Sequence, residues 1–172
     1  MADTPARKQY LKIKSQYPNA ILFFQMGDFY ETFDEDARLI AKELQITLTS
    51  REMGKGKKVP LAGIPVHALQ NYLARLIRNN YKVAICEQIG DSKTSDKVVE
   101  RAVSRVVTPG TVIDESMLDS RTNNYLASVY ISNDIAGLTY VDITTSEFLT
   151  TQVQISELKS EIERIAPAEI LV

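Results

Sequence analysis

A chain of 172 residues can hold one large domain, or one small domain and part of another. With 44% hydrophobic residues and no low-complexity tract, its composition predicts a globular core and excludes a disordered chain. The net charge of −2 by itself gives no reason to expect a polyanionic partner, and no apolar run reaches membrane-spanning length, so the expectation is a cytosolic protein.

The charge is unevenly distributed along the chain. Residues 1–120 carry 17 Lys and Arg against 15 Asp and Glu, whereas residues 121–172 carry 3 against 7. Any contact with a nucleic acid is therefore expected in the first part.

The first elements are a short helix and a buried strand. Thr4 is a good N-cap and Pro5 a good first helical residue, which predicts a helix up to about Gln16. Five consecutive apolar residues, Ala20–Phe24, are long enough for a strand buried on both faces and too short for a helix. Gly27-Asp28 then interrupts the strand.

An aromatic residue and a carboxylate follow this break. The two-residue period of a strand puts Phe29 and Glu31 on the same side and Tyr30 on the other. The structural interpretation of such a strand end is a core phenylalanine and a solvated rim charge. The functional interpretation is a binding pair, since an aromatic ring beside an acid does little for stability.

A second helix and a charged loop come next. Acids at 34–36 suit the first turn of a helix, where solvated carboxylates are commoner than a metal site. Gln45–Thr49 predicts a short strand. Ser50–Lys58 predicts a flexible loop with four positive charges and one negative, either simply solvated or a clamp for phosphates. It contains no Walker A pattern.

The remaining elements of the first part alternate between helix and strand. Apolar residues from Leu69 to Ile77 recur at helical spacing, Tyr81–Ile89 predicts a strand, and Gly90–Val98 is a polar loop. Val99–Thr108 predicts a further strand, which carries Arg101 and Arg105. This alternation predicts a mixed α/β fold, a helix-covered mixed β-sheet.

Two potentially reactive residues have structural interpretations. Cys86, the only cysteine, lies in an apolar run, which indicates a buried thiol rather than a nucleophile. His67, the only histidine, stands at a helix start with no second metal-binding residue nearby.

After a linker at Asp114–Arg121, the pattern changes to strands at hairpin spacing. A helix and a last strand follow them. The predicted elements are strands Tyr125–Ser132, Ile135–Asp142 and Glu147–Val153, helix Ser156–Ile165 and strand Glu169–Val172.

Four blocks of sequence, in order, resemble the start of the MutS family of DNA mismatch-repair proteins. They are Phe24–Glu31, Leu61–His67, Val83–Asp91 and Arg105–Thr111. The resemblance implies a mismatch-recognition domain at 1–118. It also implies a truncated, ribonuclease-H-like connector domain at 119–172.

The same resemblance assigns roles to residues. It implies that Phe29 wedges into duplex DNA from the minor groove and that Glu31 hydrogen-bonds the mispaired base. Arg51 and Arg101 stand at positions that resemble backbone contacts of the family. Charge alone suggests the same role for Lys55, Lys57, Lys58 and Arg105.

The family's other activities are expected outside this chain. The resemblance implies an ATPase, with its ATP and Mg²⁺, and homodimerisation in a missing C-terminal part. It also implies a MutL-type partner and a bacterial cytosolic or nucleoid location. No catalytic residue, metal site or cofactor is expected here.

Three alternatives remain open from the residues. One is a two-metal nuclease with Asp142 and Glu147 as ligands, although a third carboxylate is missing. Another is a non-specific nucleic-acid module in which Phe29 is only a stacking platform. The third is a protein-binding scaffold.

Overall fold

The computed structural model describes residues 3–54, 56, 58–89 and 99–172. The chain divides into two compact units, Met1–Val107 and Thr108–Val172. Each unit contains one mixed sheet and at least one α-helix, which confirms the predicted mixed α/β class. The domain boundary at residue 118 stays a prediction. In the described part of the chain, no helix is long and apolar enough to cross a membrane.

The first unit is built on a six-stranded sheet. Its main elements in chain order are α1 (Pro5–Gln16), β1 (Ile21–Met26), β2 (Phe29–Phe33), α2 (Asp34–Leu44), β3 (Thr49–Glu52), β4 (Lys58–Pro65), α3 (Leu69–Arg78), β5 (Val83–Gln88) and β6 (Arg101–Val107). The strand order is β3-β4-β2-β1-β5-β6. β1 and β5 are parallel, and the other neighbours are antiparallel.

Both faces of this sheet are covered. On one face, Tyr10 and Ile13 of α1 pack with Leu22 and Phe24 of β1. Alternation along β1 turns Phe23 to the other face, where α2 and α3 pack against the sheet. Burial of both faces explains the uninterrupted apolar run in β1.

The predicted strand at Gln45–Thr49 is wrong. Gln45 has the left-handed φ of 56° and caps the end of α2, and β3 begins only at Thr49. Pairing with β4 fixes this start, because Thr49 lies opposite Leu61. Arg51 therefore lies in a strand rather than in a loop.

The three acids at the start of α2 are not equivalent. Asp36 is buried, which corrects the expectation of solvated carboxylates. Its carboxylate accepts hydrogen bonds from the Leu22 N–H at 3.0 Å, from Lys14 at 2.9 Å and from the Tyr10 hydroxyl at 3.3 Å. Asp36 thus ties α2 to α1 and β1. Asp34 forms an ion pair with the buried Arg7.

The second unit is a four-stranded sheet with one helix. Its order is β10-β7-β8-β9, and β10 is parallel to β7. Ile165 of the helix packs with Ala127, Leu138 and Tyr140. The elements are β7 (Tyr125–Ser132), β8 (Ile135–Asp142), β9 (Glu147–Gln154), α4 (Leu158–Ile165) and β10 (Glu169–Leu171), within one or two residues of the predicted bounds.

Candidate nucleic-acid interface

The β1–β2 hairpin presents the candidate binding pair. Met26 pairs with Phe29, so Gly27 and Asp28 form a two-residue turn. Gly27 has a φ of +59°, the conformation that such hairpin turns require at their first central position. A side chain there would meet nothing within 4 Å, so backbone conformation, not space, favours glycine.

Phe29 and Glu31 have the reverse of the burial expected from the structural interpretation. Phe29 is 49% exposed although the next residue, Tyr30, is only 2% exposed. Glu31 is 7% exposed. The hairpin therefore offers an aromatic ring to solvent and encloses the acid behind it.

Glu31 lies in the sheet between β1 and β4. Its partners across the strands are Phe24 on β1 and Gly63 on β4. Arg51 Nη1 donates to Glu31 Oε2 at 2.6 Å. Burial raises the pKa of Glu31, and the charges of Arg51 and Arg101 oppose that rise only in part.

Arg51 approaches Glu31 from the edge of the sheet. It lies on β3, and β4 separates β3 from β2, so the side chain crosses β4 to reach the carboxylate. Gly63 has no side chain to occupy the space beside Glu31. The Arg51 side chain remains 44% exposed. The sequence gives no signal for this pair, which depends on the strand order.

Arg101 is held by the protein. Its Nε donates to the Gln25 carbonyl at 2.6 Å and its Nη1 to the Val99 carbonyl at 2.8 Å. The guanidinium lies 4.9 Å from the centroid of the Phe24 ring. Burial lowers the pKa of Arg101 from its usual range. Arg101 thus supports the base of the hairpin and adds positive charge near Glu31.

The other predicted phosphate contacts are dispersed. Lys58 is exposed at the start of β4. Arg105 pairs with Ile85, whereas Glu31 shares its face with Phe24 and Cys86, so alternation puts Arg105 on the opposite face. Lys55 and Lys57 lie outside the described residues, as does the predicted loop at 90–98. The roles of these side chains stay predictions.

Cys86 is fully buried, and burial raises the pKa of its thiol to about 11. This agrees with the structural interpretation, because only the thiolate is a good nucleophile.

The proposed nuclease carboxylates have protein partners. Asp142 accepts hydrogen bonds from the backbone N–H groups of Asn124 and Thr144 at 3.0 and 2.9 Å. Glu147 accepts from the Tyr125 hydroxyl at 2.6 Å. Within the described ranges, no three His, Cys, Asp or Glu side chains group closely enough to hold a metal ion. These hydrogen bonds give Asp142 a structural role at the turn after β8.

Comparison with known proteins matches both parts of the chain. Residues 4–116 match the family model "MutS domain I", and residues 124–172 match "MutS domain II". A DNA mismatch repair protein MutS of Dehalococcoides mccartyi is 61% identical over 168 residues, and that of Syntrophomonas wolfei is 51% identical over 176. The matches cover 98% and 99% of this chain.

The chain spans about one fifth of the length of these relatives, 20% in each case. The two family models together match most of its residues, and all four sequence blocks lie within the match to domain I. The chain therefore belongs to the MutS family.

Proposed function

We propose that this chain recognises mispaired or unpaired bases in duplex DNA, with Phe29 entering the base stack and Glu31 hydrogen-bonding the exposed base. One observation carries the proposal: a half-exposed phenylalanine at a hairpin turn lies directly in front of a buried carboxylate. Family membership supports it, since the curated relatives are named DNA mismatch repair proteins.

Insertion of an aromatic side chain is most favourable where base stacking is already weakened. Opening a base step costs a few kcal/mol, and stacking a base on an aromatic ring returns about 1–3 kcal/mol. On paired DNA the two terms nearly cancel. At a mispair, stacking and pairing are already weak, so insertion becomes favourable. Phe29 would then read the deformability of the site rather than its sequence.

Glu31 supplies the second test of the base. An ionised carboxylate accepts from a base N–H, such as thymine N3–H, and a protonated one donates to a purine N7. Correctly paired bases offer neither contact at the wedge. The uncompensated charge near phosphates then opposes binding of paired DNA.

The rest of the repair activity is proposed for regions beyond this chain. Discrimination of about 1–3 kcal/mol is only about ten- to a hundredfold, too little to find rare errors among paired sites. A Mg²⁺-dependent ATPase, dimerisation and a MutL-type partner would amplify it in a protein of the relatives' length.

Titration with DNA tests the wedge. We expect Phe29→Ala to abolish the preference for a G·T duplex over its matched control, whereas Glu31→Ala mainly raises affinity for the matched duplex. Phe148→Ala is the control, because Phe148 is 67% exposed in the other unit. A wild-type preference in Phe29→Ala would refute the wedge. Equal affinity of the wild type for single strands would favour a general stacking platform.

A further inference from the structure

The two oxygens of Glu31 differ in their contacts. Oε2 accepts from Arg51 at 2.6 Å. Among the described residues, no group donates a hydrogen bond to Oε1. Glu31 is therefore a buried carboxylate with one strong partner and one unused acceptor.

Arg51 has spare donors of its own. A guanidinium has five N–H groups, and within the described ranges the guanidinium of Arg51 donates only to Glu31. All four residues of β3 are exposed, and β3 is the edge strand of the sheet. A phosphate can reach this guanidinium without disturbing the core, and Arg–phosphate pairs are frequently bidentate.

We propose that Arg51 is the residue that sets the hydrogen-bonding role of Glu31, by pairing with it in the free protein and leaving it for a DNA phosphate in the complex. This inference rests on the proposed function. While the pair holds, Glu31 is an ionised acceptor that suits a base N–H. When Arg51 moves to a phosphate, Glu31 can take one proton from the buffer, leaving the buffer's conjugate base in solution, and donate to a purine N7.

The surroundings of Glu31 favour that second state. In the described part of the chain, the charged groups that face Glu31 are Arg51 from β3 and Arg101 from β6. The neighbouring strands contribute the apolar Phe24 and Gly63. Burial already raises the pKa of Glu31 with both arginines present, so loss of one of them acts in the same direction.

Arg101 is not free to replace Arg51. Two of its nitrogens donate to the Gln25 and Val99 carbonyls, and its guanidinium packs over the Phe24 ring. Moving it to the carboxylate would break both hydrogen bonds. Of the two arginines beside Glu31, Arg51 is therefore the one whose guanidinium has no other acceptor among the described residues.

The pair is tested first without DNA. Titration of the Glu31 side-chain carboxyl by ¹³C NMR in the 172-residue chain should give a higher midpoint in Arg51→Met than in the wild type. Lys58→Met should leave it unchanged, since Lys58 is exposed and makes no ion pair with Glu31. An unchanged midpoint in Arg51→Met would overturn the proposal.

The transfer is tested with two duplexes, one carrying a single unpaired adenine and one a single unpaired thymine. Calorimetry in buffers of different ionisation enthalpy should show proton uptake by the wild type with adenine and little with thymine. Lys58→Met should bind more weakly, with a salt slope reduced by about 0.9, and keep the same uptake. Arg51→Met should show the same reduction in salt slope and should also take up fewer protons, because loss of Arg51 already favours the protonated form of Glu31 before DNA binds.

The outcomes separate the two claims. If Arg51→Met matches Lys58→Met in both slope and proton uptake, Arg51 is only a phosphate contact and the inference is wrong. If the wild type binds matched and mispaired duplexes equally, the proposed function fails, whereas the carboxyl titration still decides whether Arg51 controls Glu31 in the free protein.

Discussion

Two buried carboxylates, Glu31 in the first unit and Asp142 in the second, differ in how many donors surround them. Asp142 is 1% exposed and accepts from the Asn124 N–H, the Thr144 N–H and the Thr144 hydroxyl, at 3.0, 2.9 and 2.6 Å. Burial raises the pKa of Asp142, but these hydrogen bonds outweigh burial and hold it below its ordinary value. In the described part of the chain Glu31 has one donor, Arg51, and burial raises its pKa.

The difference shows that burial alone does not make an acid functional. A carboxylate whose oxygens are all satisfied by the fold stabilises the fold and has nothing left for a ligand. Asp36 resembles Asp142, because three donors also surround its carboxylate. Among the described residues Glu31 has only Arg51 as a side-chain donor, which leaves acceptor capacity for the base contact proposed above.

Replacing each acid by its amide tests this difference, and the larger loss of stability is expected at Asp142. We expect Asp142→Asn to lower the free energy of unfolding of the second unit by about 2–3 kcal/mol, because an amide N–H₂ would face backbone N–H donors. Native-state hydrogen exchange at the β7 and β8 amides measures this change unit by unit.

The control for this substitution is Asp134→Asn, because Asp134 is exposed in the turn between β7 and β8. This variant should change the free energy of opening at the β7 and β8 amides by less than about 0.5 kcal/mol. Equal losses in both variants would mean that the hydrogen bonds of Asp142 add nothing.

Acid should act on the two units in opposite directions. Glu31 has a pKa above its ordinary 4.5, so protonation favours the folded first unit, and its contribution to stability rises as pH falls from neutral toward 4.5. Asp142 has a pKa below 3.8, so its contribution is present above that pH and is lost as pH falls through the folded value. Hydrogen exchange from pH 7 to pH 3 should therefore show the first unit gaining stability on the way to pH 4.5 and the second unit losing stability below pH 3.8, and Asp142→Asn should remove the second dependence.

Local signals in the sequence predict most of this fold. β7 and β8 have the predicted bounds because the turn residues at 133–134 and 144–146 separate the strands, and burial alternates along β8. Thr4 caps α1 as its side chain predicts. The strand predicted at 45–49 does not coincide with β3, because the start of β3 depends on its pairing with β4 and not on the residues at 45–49.

The candidate site was predicted only in part. Phe29 and Glu31 share a strand, so their spacing is visible in the sequence. The pair between Glu31 and Arg51 joins residues twenty positions apart on strands that are not neighbours. No local pattern encodes that contact, nor the role of Gly63 beside it.

Gly63 gives a smaller test of the space around Glu31. A Cβ there would lie 3.1 Å from the Tyr30 carbonyl oxygen and 3.6 Å from Glu31 Cγ. We expect Gly63→Ala to destabilise the first unit by about 1 kcal/mol, through overpacking against backbone. Gly137→Ala is the control in the second unit, since its closest contact would be an ordinary 3.8 Å. Comparable losses of β-sheet protection in the two variants would show that crowding at Glu31 is not the cause.

The smallest effect on stability is expected for Glu31→Gln. The raised pKa of Glu31 means that the fold disfavours its charge. A neutral amide of the same shape should therefore raise the free energy of unfolding, by less than about 1 kcal/mol. Arg51→Met should be the more harmful change, because it leaves that charge without its partner. Hydrogen exchange at the β1 and β2 amides compares them. A loss in Glu31→Gln as large as that in Asp142→Asn would make Glu31 a structural acid, and the distinction between the two carboxylates would then disappear.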